Sequence, residues 1–523
     1  MSLVNGMTIG RMFENTVKRF AERNAVEYKT QYWTYKELDE ITDVIALQFL
    51  EKGIRKGTKA ALWVYNRPNA LFVLLALEKI GAIPVMLHTS WKAESVQRYL
   101  EFMDTEYLFY DEGYMEQNFS VLAEEIVTPI LKEKIYIGAE KILITQETKK
   151  VFSEEAYKQL EEKKAQVTCE DIDMILFTSG STGTAKGVVT THYSRVNNAF
   201  AQAEFLRATC EDVFCVVLPM FHCFSMSGNI MAALSCGACI SFPESRRTKH
   251  VFRCIDFTKA TILTAVPTFY SALFGSEWRK AYNYSSLRVG AIGGAGYAPS
   301  FFLKVEKELD MKLISSLGLT EATAGITASC YEEASEKSAE HVGAFLPDIE
   351  GQILEPQTGK PCSVGEVGEV CVRGYNVMKE YYKLPEETAK VIDANGFLHT
   401  GDMGYLDENK NLHLVGRCKE IIIRGGENIF PGEIENVISE LSDVQVVKVL
   451  GVKDEHYGEE VCACISCKKG SSLTADDIRE YVKARLAKYK IPRYVEFLEI
   501  MPFMGNGKMD VEGLKEILKE KGL

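Results

Sequence analysis

The sequence predicts an α/β protein with a large N-terminal domain of helix-covered sheets, a small β-barrel-like subdomain, and a smaller α+β C-terminal domain. Three observations predict it. Residues 59–87 read as strand, helix, strand, a βαβ unit. Near residue 340 the texture changes, with Gly343, Gly351, Gly359, Gly365, Gly368 and Gly374 punctuating short apolar segments. After Arg417 the pattern resets into a compact alternation of strands and helices.

Taken in order, Ile9, Met12, Phe13, Val17, Phe20 and Ala21 recur at helical spacing and predict an amphipathic helix. Strands are expected at 59–64 and 83–87, around a Leu-rich helix at 69–78. Short apolar runs follow at 174–177, 213–218, 262–266, 287–291 and 313–314, separated by helical or irregular stretches, as in parallel sheets covered by helices. The Gly-punctuated stretch, with a strand at 369–372, suits antiparallel pairing. Beyond it come strands at 420–423, 444–449, 461–466 and 494–500, with helices at 433–440 and 474–486. The expected division is 1–417, comprising sheets to about 340 and a β-rich part at 341–417, and 418–523, with the boundary at Arg417–Lys419.

Composition sets the class. The chain of 523 residues is 46% hydrophobic and 25% charged, outside the collagenous, coiled-coil and disordered ranges. A net charge of −13 argues against a general nucleic-acid-binding surface but leaves room for a local basic phosphate pocket. Residues 1–6 lack the basic flank and apolar stretch of a signal peptide, and 71–87 is broken by Glu78, Lys79, Gly81 and Pro84, so a buried helix and strand are expected there instead of a membrane span. Cys462, Cys464 and Cys467 alternate with apolar residues and have no second Cys or His pair nearby, which reads as buried thiols, not zinc. The expected location is the cytoplasm.

The strongest local motif is Thr178-Ser179-Gly180-Ser181-Thr182-Gly183-Thr184-Ala185-Lys186-Gly187, directly after a strand. Its glycines allow a sharp turn and close approach of an anion, its hydroxyls and N–H groups can cradle phosphate oxygens, and Lys186 adds positive charge. By composition alone it fits a polar surface loop equally well, and it does not meet the Gly-x4-Gly-Lys-Ser/Thr spacing of a P-loop NTPase. Leu317-Gly318-Leu319-Thr320-Glu321 places a hydroxyl and a carboxylate after a tight turn, which suits either a capped helix start or a phosphate with its hard cation. Gly293-Gly294-Ala295, Thr400-Gly401-Asp402, Gly416-Arg417, Pro219-Met220-Phe221-His222 and Gly505-Asn506-Gly507-Lys508 are each ambiguous in isolation.

In this order the motifs resemble those of the adenylate-forming superfamily, which includes acyl-CoA synthetases, aryl-CoA ligases, luciferases and peptide-synthetase adenylation domains. The resemblance spans residues 178–508. It implies that Thr178, Ser179, Gly180, Ser181, Thr182, Gly183 and Lys186 hold ATP phosphates, that Thr320 meets phosphate, and that Glu321 binds Mg²⁺. Gly293, Gly294 and Ala295 would form a small-residue wall beside adenine. Leu317 and Gly318 stand in the adenine motif, Leu317 where the family often has a stacking Tyr. Asp402 and Arg417 would take the ribose, His222 would line the acyl pocket, and Lys508 would be the catalytic lysine. Lys419 matches the hinge of a mobile C-terminal lid, and Gly425 and Gly426 the wall of a pantetheine tunnel. Phe224, Ser225 and Ser227 are expected to shape the acid pocket with His222. Adjacent Cys223 does not make a Cys/His nucleophile, because sequence neighbours seldom present side chains together.

The implied activity is ATP- and Mg²⁺-dependent ligation of a fatty or aryl acid to CoA through an acyl-AMP. The alternatives are loading of a carrier-protein thiol, or a non-catalytic pseudo-ligase that binds nucleotide or acyl groups. A luciferase-like oxygenase has no positive sign in the sequence. Basic clusters at Arg246, Arg247 and Lys249, and at Lys483, Arg485, Lys488 and Lys490, read as solvated faces.

Overall fold

The computed structural model describes residues 6–113, 117–138, 152–178, 185–425, 427–454, 456–503 and 509–523. Among the candidate residues, Ser179, Gly180, Ser181, Thr182, Gly183, Gly426 and Lys508 lie outside the described set.

The expected βαβ unit is present as strand Lys59–Trp63, helix Pro68–Lys79 and strand Ile83–Met86. It belongs to a seven-stranded sheet in the order Glu380–Tyr381, Lys186–Thr191, Ile172–Thr178, Ile83–Met86, Lys59–Trp63, Tyr107–Tyr110, Glu133–Tyr136. Pairing is parallel from Ile172–Thr178 outward to Glu133–Tyr136, and antiparallel where Ile172–Thr178 meets Lys186–Thr191. A second sheet pairs Gln31–Thr34, Asn24–Tyr28, Cys239–Phe242 and Val213–Cys215. Single parallel bridges at Ile262 and Ala265 connect it to Val289–Ile292 and Lys312–Leu319, which then pair with Ala324–Ala328 and Ala344–Phe345. The predicted strand at 262–266 is thus reduced to these bridges, and the run at 213–218 is strand only as far as Cys215.

Residues alternate between the two faces of a strand, and here both faces are covered, which explains the unbroken apolar runs. Ala60 and Leu62 share one core with Phe214, Ile240 and Ile314 of the second sheet and with Ile45, Leu71, Val196 and Leu234 of the helices. Those helices form the layer between the sheets. Ala61 and Trp63 face the other way, onto Val96, Leu100 and Phe119. Helix Pro68–Lys79 is buried along its whole length. Among the described residues, no helix is long and apolar enough to cross a membrane.

The β-rich part is an antiparallel meander of Ile349–Leu354, Gly368–Gly374, Leu398–Leu406 and Leu412–Arg417. A short turn at Cys418–Glu420 leads to a five-stranded sheet built from Ile422–Arg424, Glu427–Ile429, Val444–Asp454, Gly458–Cys467 and Tyr494–Phe497. Two apolar clusters cover its faces, and their members all follow residue 421. Cys462 and Cys464 are fully buried on one face. The predicted helix at 474–486 is Ala475–Lys483, because Thr474 is the N-cap of a capping box with Asp477.

Candidate active site

The motifs gather where strands end. Strands Ile172–Thr178, Val213–Cys215, Val289–Ile292 and Lys312–Leu319 each lead, at their carboxyl ends, into one of them. Outside the carboxyl ends of parallel strands is where open α/β sheets form their ligand crevices.

Thr178 pairs with Lys186 across the hairpin, so residues 179–185 join the two strands at this end. Trp91 stacks on Tyr99 with ring centroids 4.3 Å apart, and Phe177 meets Trp91 edge-on at 4.9 Å. The Ala185 N–H donates to the Tyr99 hydroxyl at 2.8 Å, tying the Lys186 side of the hairpin to this aromatic group.

Lys186 Nζ lies 2.5 Å from Glu387 Oε2 and 4.8 Å above the ring of Tyr381. The Lys186 ammonium, with Lys390 beside it, pulls the Glu387 carboxyl down to about 2. The Tyr381 hydroxyl donates to Glu321 Oε1 at 2.8 Å. Lys186, Tyr381 and Glu321 therefore form one continuous polar chain, which joins the Gly-rich hairpin to the Thr-Glu motif. Sequence reasoning missed Tyr381 and Glu387, which the pairing of Glu380–Tyr381 with Val189 and Val188 brings next to Lys186.

Thr320–Ala322 form a 3-10 turn after a register shift between Leu317 and Gly318. A Cβ at Gly318 would lie 1.6 Å from the Ala324 carbonyl oxygen, so this strand pair closes only over glycine. Thr323 follows with φ 55°, a left-handed conformation that a β-branched residue seldom adopts, and its hydroxyl donates to the Asn376 carbonyl at 2.7 Å. The Met378 N–H donates to the Glu321 carbonyl at 2.8 Å. Backbone and side chain of Glu321 are thus both held. Leu317 is 9% exposed and packs with Ala201, Ala322 and Ile326, so its side chain serves the core.

A Cβ at Gly293 would come within 2.7 Å of the Ser316 carbonyl oxygen, which presses the Gly293–Gly294 turn against the neighbouring strand. Ala295 is exposed beyond it. His222 caps the start of a helical segment, and Cys223 accepts from the Thr320 hydroxyl at 3.7 Å. Phe221 and two imidazoles form a cluster, with Phe221 4.4 Å from His222 and 4.3 Å from His88, and the imidazoles 5.9 Å apart. Burial lowers His88 to about 4, so it is neutral at physiological pH. His88 is a third residue missed in the sequence, although it too follows the end of a parallel strand. Ser225 is fully buried with its hydroxyl on the Leu218 carbonyl, and Ser227 is 1% exposed. Ser227 lies in Met226–Met231, a π-helical turn directly after Ser225 and a feature frequent at functional sites.

Asp402 and Arg417 are directly opposed in the meander, with Oδ1 and Nε 2.9 Å apart. The carboxylate is buried and the guanidinium half exposed. Lys419 is exposed in the turn between meander and C-terminal sheet. Gly425, φ 59°, begins the hairpin turn and donates its N–H to the Tyr457 carbonyl at 2.8 Å. Of the basic clusters, Lys249 lies over the Trp278 ring at 4.2 Å and Lys490 pairs with Glu433.

Comparison with known proteins decides the family. Residues 13–382 match the AMP-binding enzyme family, and residues 433–508 match the C-terminal domain of AMP-binding enzymes. This chain is an AMP-binding enzyme. It is 33% identical to the Bacillus subtilis (strain 168) protein YngI, which carries an acyl-CoA synthetase name, over 97% of this chain and 96% of that one. It is 30% identical to the mitochondrial medium-chain acyl-CoA ligase ACSF2 of Bos taurus, over 99% of this chain and 88% of that one. The ATP-bound structure of MatB from Rhodopseudomonas palustris has the same fold, with a TM-score of 0.84 at 23% identity, covering 98% and 99% of the two chains. The relatives place this AMP-binding enzyme in the acyl-CoA synthetase branch of the adenylate-forming superfamily. Asp402, Arg417, Lys419, Gly425 and Gly426 fall between the two matched segments, while Lys508 is the last residue of the second.

Proposed function

We propose that this AMP-binding enzyme adenylates a carboxylic acid with ATP and passes the acyl group to CoA. The observation that carries the reading is the Lys186–Tyr381–Glu321 chain, which unites a phosphate-binding cation with a carboxylate suited to a metal. Glu321 and Thr320 offer oxygen donors, the set that Mg²⁺ prefers, so the residues fit the ion. Bound there, Mg²⁺ would neutralise phosphate charge. Lys186 exchanges Glu387 for phosphate oxygens, Asp402 accepts hydrogen bonds from the ribose hydroxyls, and Arg417 adds charge beside it. The acid's carboxylate oxygen attacks the α-phosphorus and pyrophosphate leaves. Lys508 offsets the repulsion between the two anions. In the second half-reaction the CoA thiolate attacks the acyl carbon and AMP leaves.

Residues 1–417 then form the adenylation domain and 418–523 a lid that rotates about Lys419, bringing Gly425 and Gly426 to the thiol path. The separate apolar clusters beyond residue 421 support that division. The bovine relative's name makes medium-chain aliphatic acids the first substrates to try, with aryl acids next. The test is pyrophosphate release with Mg·ATP across such a panel, with and without CoA, and thioester identified by mass. CoA-dependent turnover with an acyl-CoA product is expected. Release that halts after one turnover despite CoA would move the acceptor to a carrier-protein thiol, and ATP binding without any release would leave a nucleotide-binding protein.

A further inference from the structure

We infer that Glu369, Cys371 and His399 form a site for one soft divalent cation of the zinc class. Among the described residues, these three place a carboxylate oxygen, a thiol sulfur and an imidazole nitrogen within 4.8 Å of one another. The meander builds the constellation. Glu369 and Cys371 are two apart on strand Gly368–Gly374 and so share a face, and Cys371 is directly opposite His399 on strand Leu398–Leu406. His399 Nδ1 is 2.8 Å from Glu369 Oε2 and 3.4 Å from Cys371 Sγ. Zinc bonds of about 2.0–2.3 Å at tetrahedral angles space their donor atoms by roughly 3.3–3.7 Å. The sulfur–nitrogen pair already has that spacing, the oxygen–nitrogen pair needs to open by roughly half an ångström, and all three atoms lie within 4.8 Å.

The surroundings supply the second half of a metal site. Asp393 Oδ2 lies 4.0 Å from His399 Nε2, on the far side of the ring, beyond hydrogen-bond distance but within reach of a small side-chain rotation. Metal-bound imidazoles characteristically donate their other N–H to such a carboxylate. Without the ion, Nδ1 donates to the Glu369 carboxylate, which is an acceptor only. On binding, the Nδ1 proton is lost and the Nε2 tautomer forms toward Asp393, while the Cys371 thiol releases its proton to solvent. One cation therefore enters and one proton leaves. The dication meets one thiolate and one carboxylate, so the occupied site is neutral. Cys371 is fully buried, whereas His399 is 31% exposed at its side chain and gives the ion access, with water in the fourth position.

Occupancy also reaches the nucleotide end, on the reading that Asp402 and Arg417 hold the ribose. Glu369 Oε1 accepts the N–H of Gly401, the residue before Asp402, at 3.0 Å. A cation inserted between Glu369 and His399 shifts the carboxylate away from the Nδ1 it now touches and so disturbs that bond. Zinc is accordingly expected to raise the KM for ATP several-fold.

The test titrates the full chain with Co²⁺ and reads thiolate-to-cobalt charge transfer and tetrahedral d–d bands. One equivalent should bind in the wild type, and Cys371→Ser should lose the charge-transfer band while exposed Cys330→Ser keeps it. Absence of the band from the wild type, or its persistence in Cys371→Ser, would overturn the site. Glu369→Gln serves as a second variant, with weaker cobalt affinity expected at unchanged melting temperature; wild-type affinity would count against the site. In pyrophosphate release, zinc should inhibit the wild type more than Cys371→Ser, and equal inhibition would overturn the coupling to Asp402. The cobalt readout needs no turnover, so it stands even if adenylation is not observed.

Discussion

Tyr381 does two things with one side chain: its ring lies beneath the Lys186 ammonium, and its hydroxyl orients Glu321. Tyr381→Phe keeps the first and removes the second. A hydrogen bond to a charged acceptor contributes about 1.5–3 kcal/mol, so the Mg²⁺ needed for half-maximal pyrophosphate release should rise roughly 10- to 100-fold. Unchanged metal dependence would remove Tyr381 from the site. Lys508 makes a different prediction, because its proposed role belongs to one half-reaction. Lys508→Ala should lower adenylation by a factor on the order of 10²–10³, while thioester formation from supplied acyl-AMP is largely retained. Equal losses in both steps would contradict the assignment. Glu321 and Lys186 were visible in the sequence because each belongs to a short motif. Tyr381 and Glu387 were not, since they lie 60 residues from Glu321 and 201 residues from Lys186, and only strand pairing brings them there.

Elements were legible where periodicity was strong, as in Lys59–Trp63, Pro68–Lys79 and Ile83–Met86. Their ends were less so, because caps and register shifts decide them: Thr474 starts its helix one residue later than the apolar pattern does. The Leu317/Gly318 shift had no sequence signal beyond the glycine itself, yet it sets the turn that carries Glu321. Gly318→Ala should force the two strands apart, costing roughly 2–4 kcal/mol in urea unfolding and abolishing Mg·ATP turnover. A fully stable, active variant would show that the turn tolerates a side chain. The Cys418–Glu420 turn gives the corresponding prediction for the proposed lid. Lys419→Pro fixes one backbone angle there and should slow thioester formation more than adenylation. Single-turnover kinetics of the two steps would check this, and an unchanged second step would count against rotation at Lys419.

At the scale of the whole molecule, helix-covered sheets were foreseen, but not the charges buried among them. Arg195, fully buried, lies 3.1 Å from Glu78 Oε1 and 3.0 Å from Asp173 Oδ2. Two carboxylates facing one guanidinium leave an excess negative charge, and burial raises Glu78 to about 8 from 4.5. The native state then keeps a proton that the unfolded chain releases. The stabilisation is complete below pH 4.5 and is lost as pH rises through 8. His192, lowered by burial to about 4 from 6.5, has the opposite sign, and its contribution is lost as pH falls from 6.5 toward 4. Between pH 6.5 and 8 the Glu78 slope exceeds that of His192, so the wild type should lose melting temperature relative to Glu78→Gln over that window; parallel profiles would refute the proton kept on Glu78. The order of the seven-stranded sheet has a further consequence, for synthesis. Val188 and Val189 are wholly buried, yet their edge is covered by Tyr381 and Glu380. At about 5–20 residues per second, a ribosome needs on the order of 10–40 s to make the intervening chain. Throughout that interval the nascent protein carries an open, apolar sheet edge beside Lys186, the kind of surface on which chains pair wrongly with one another and chaperones act.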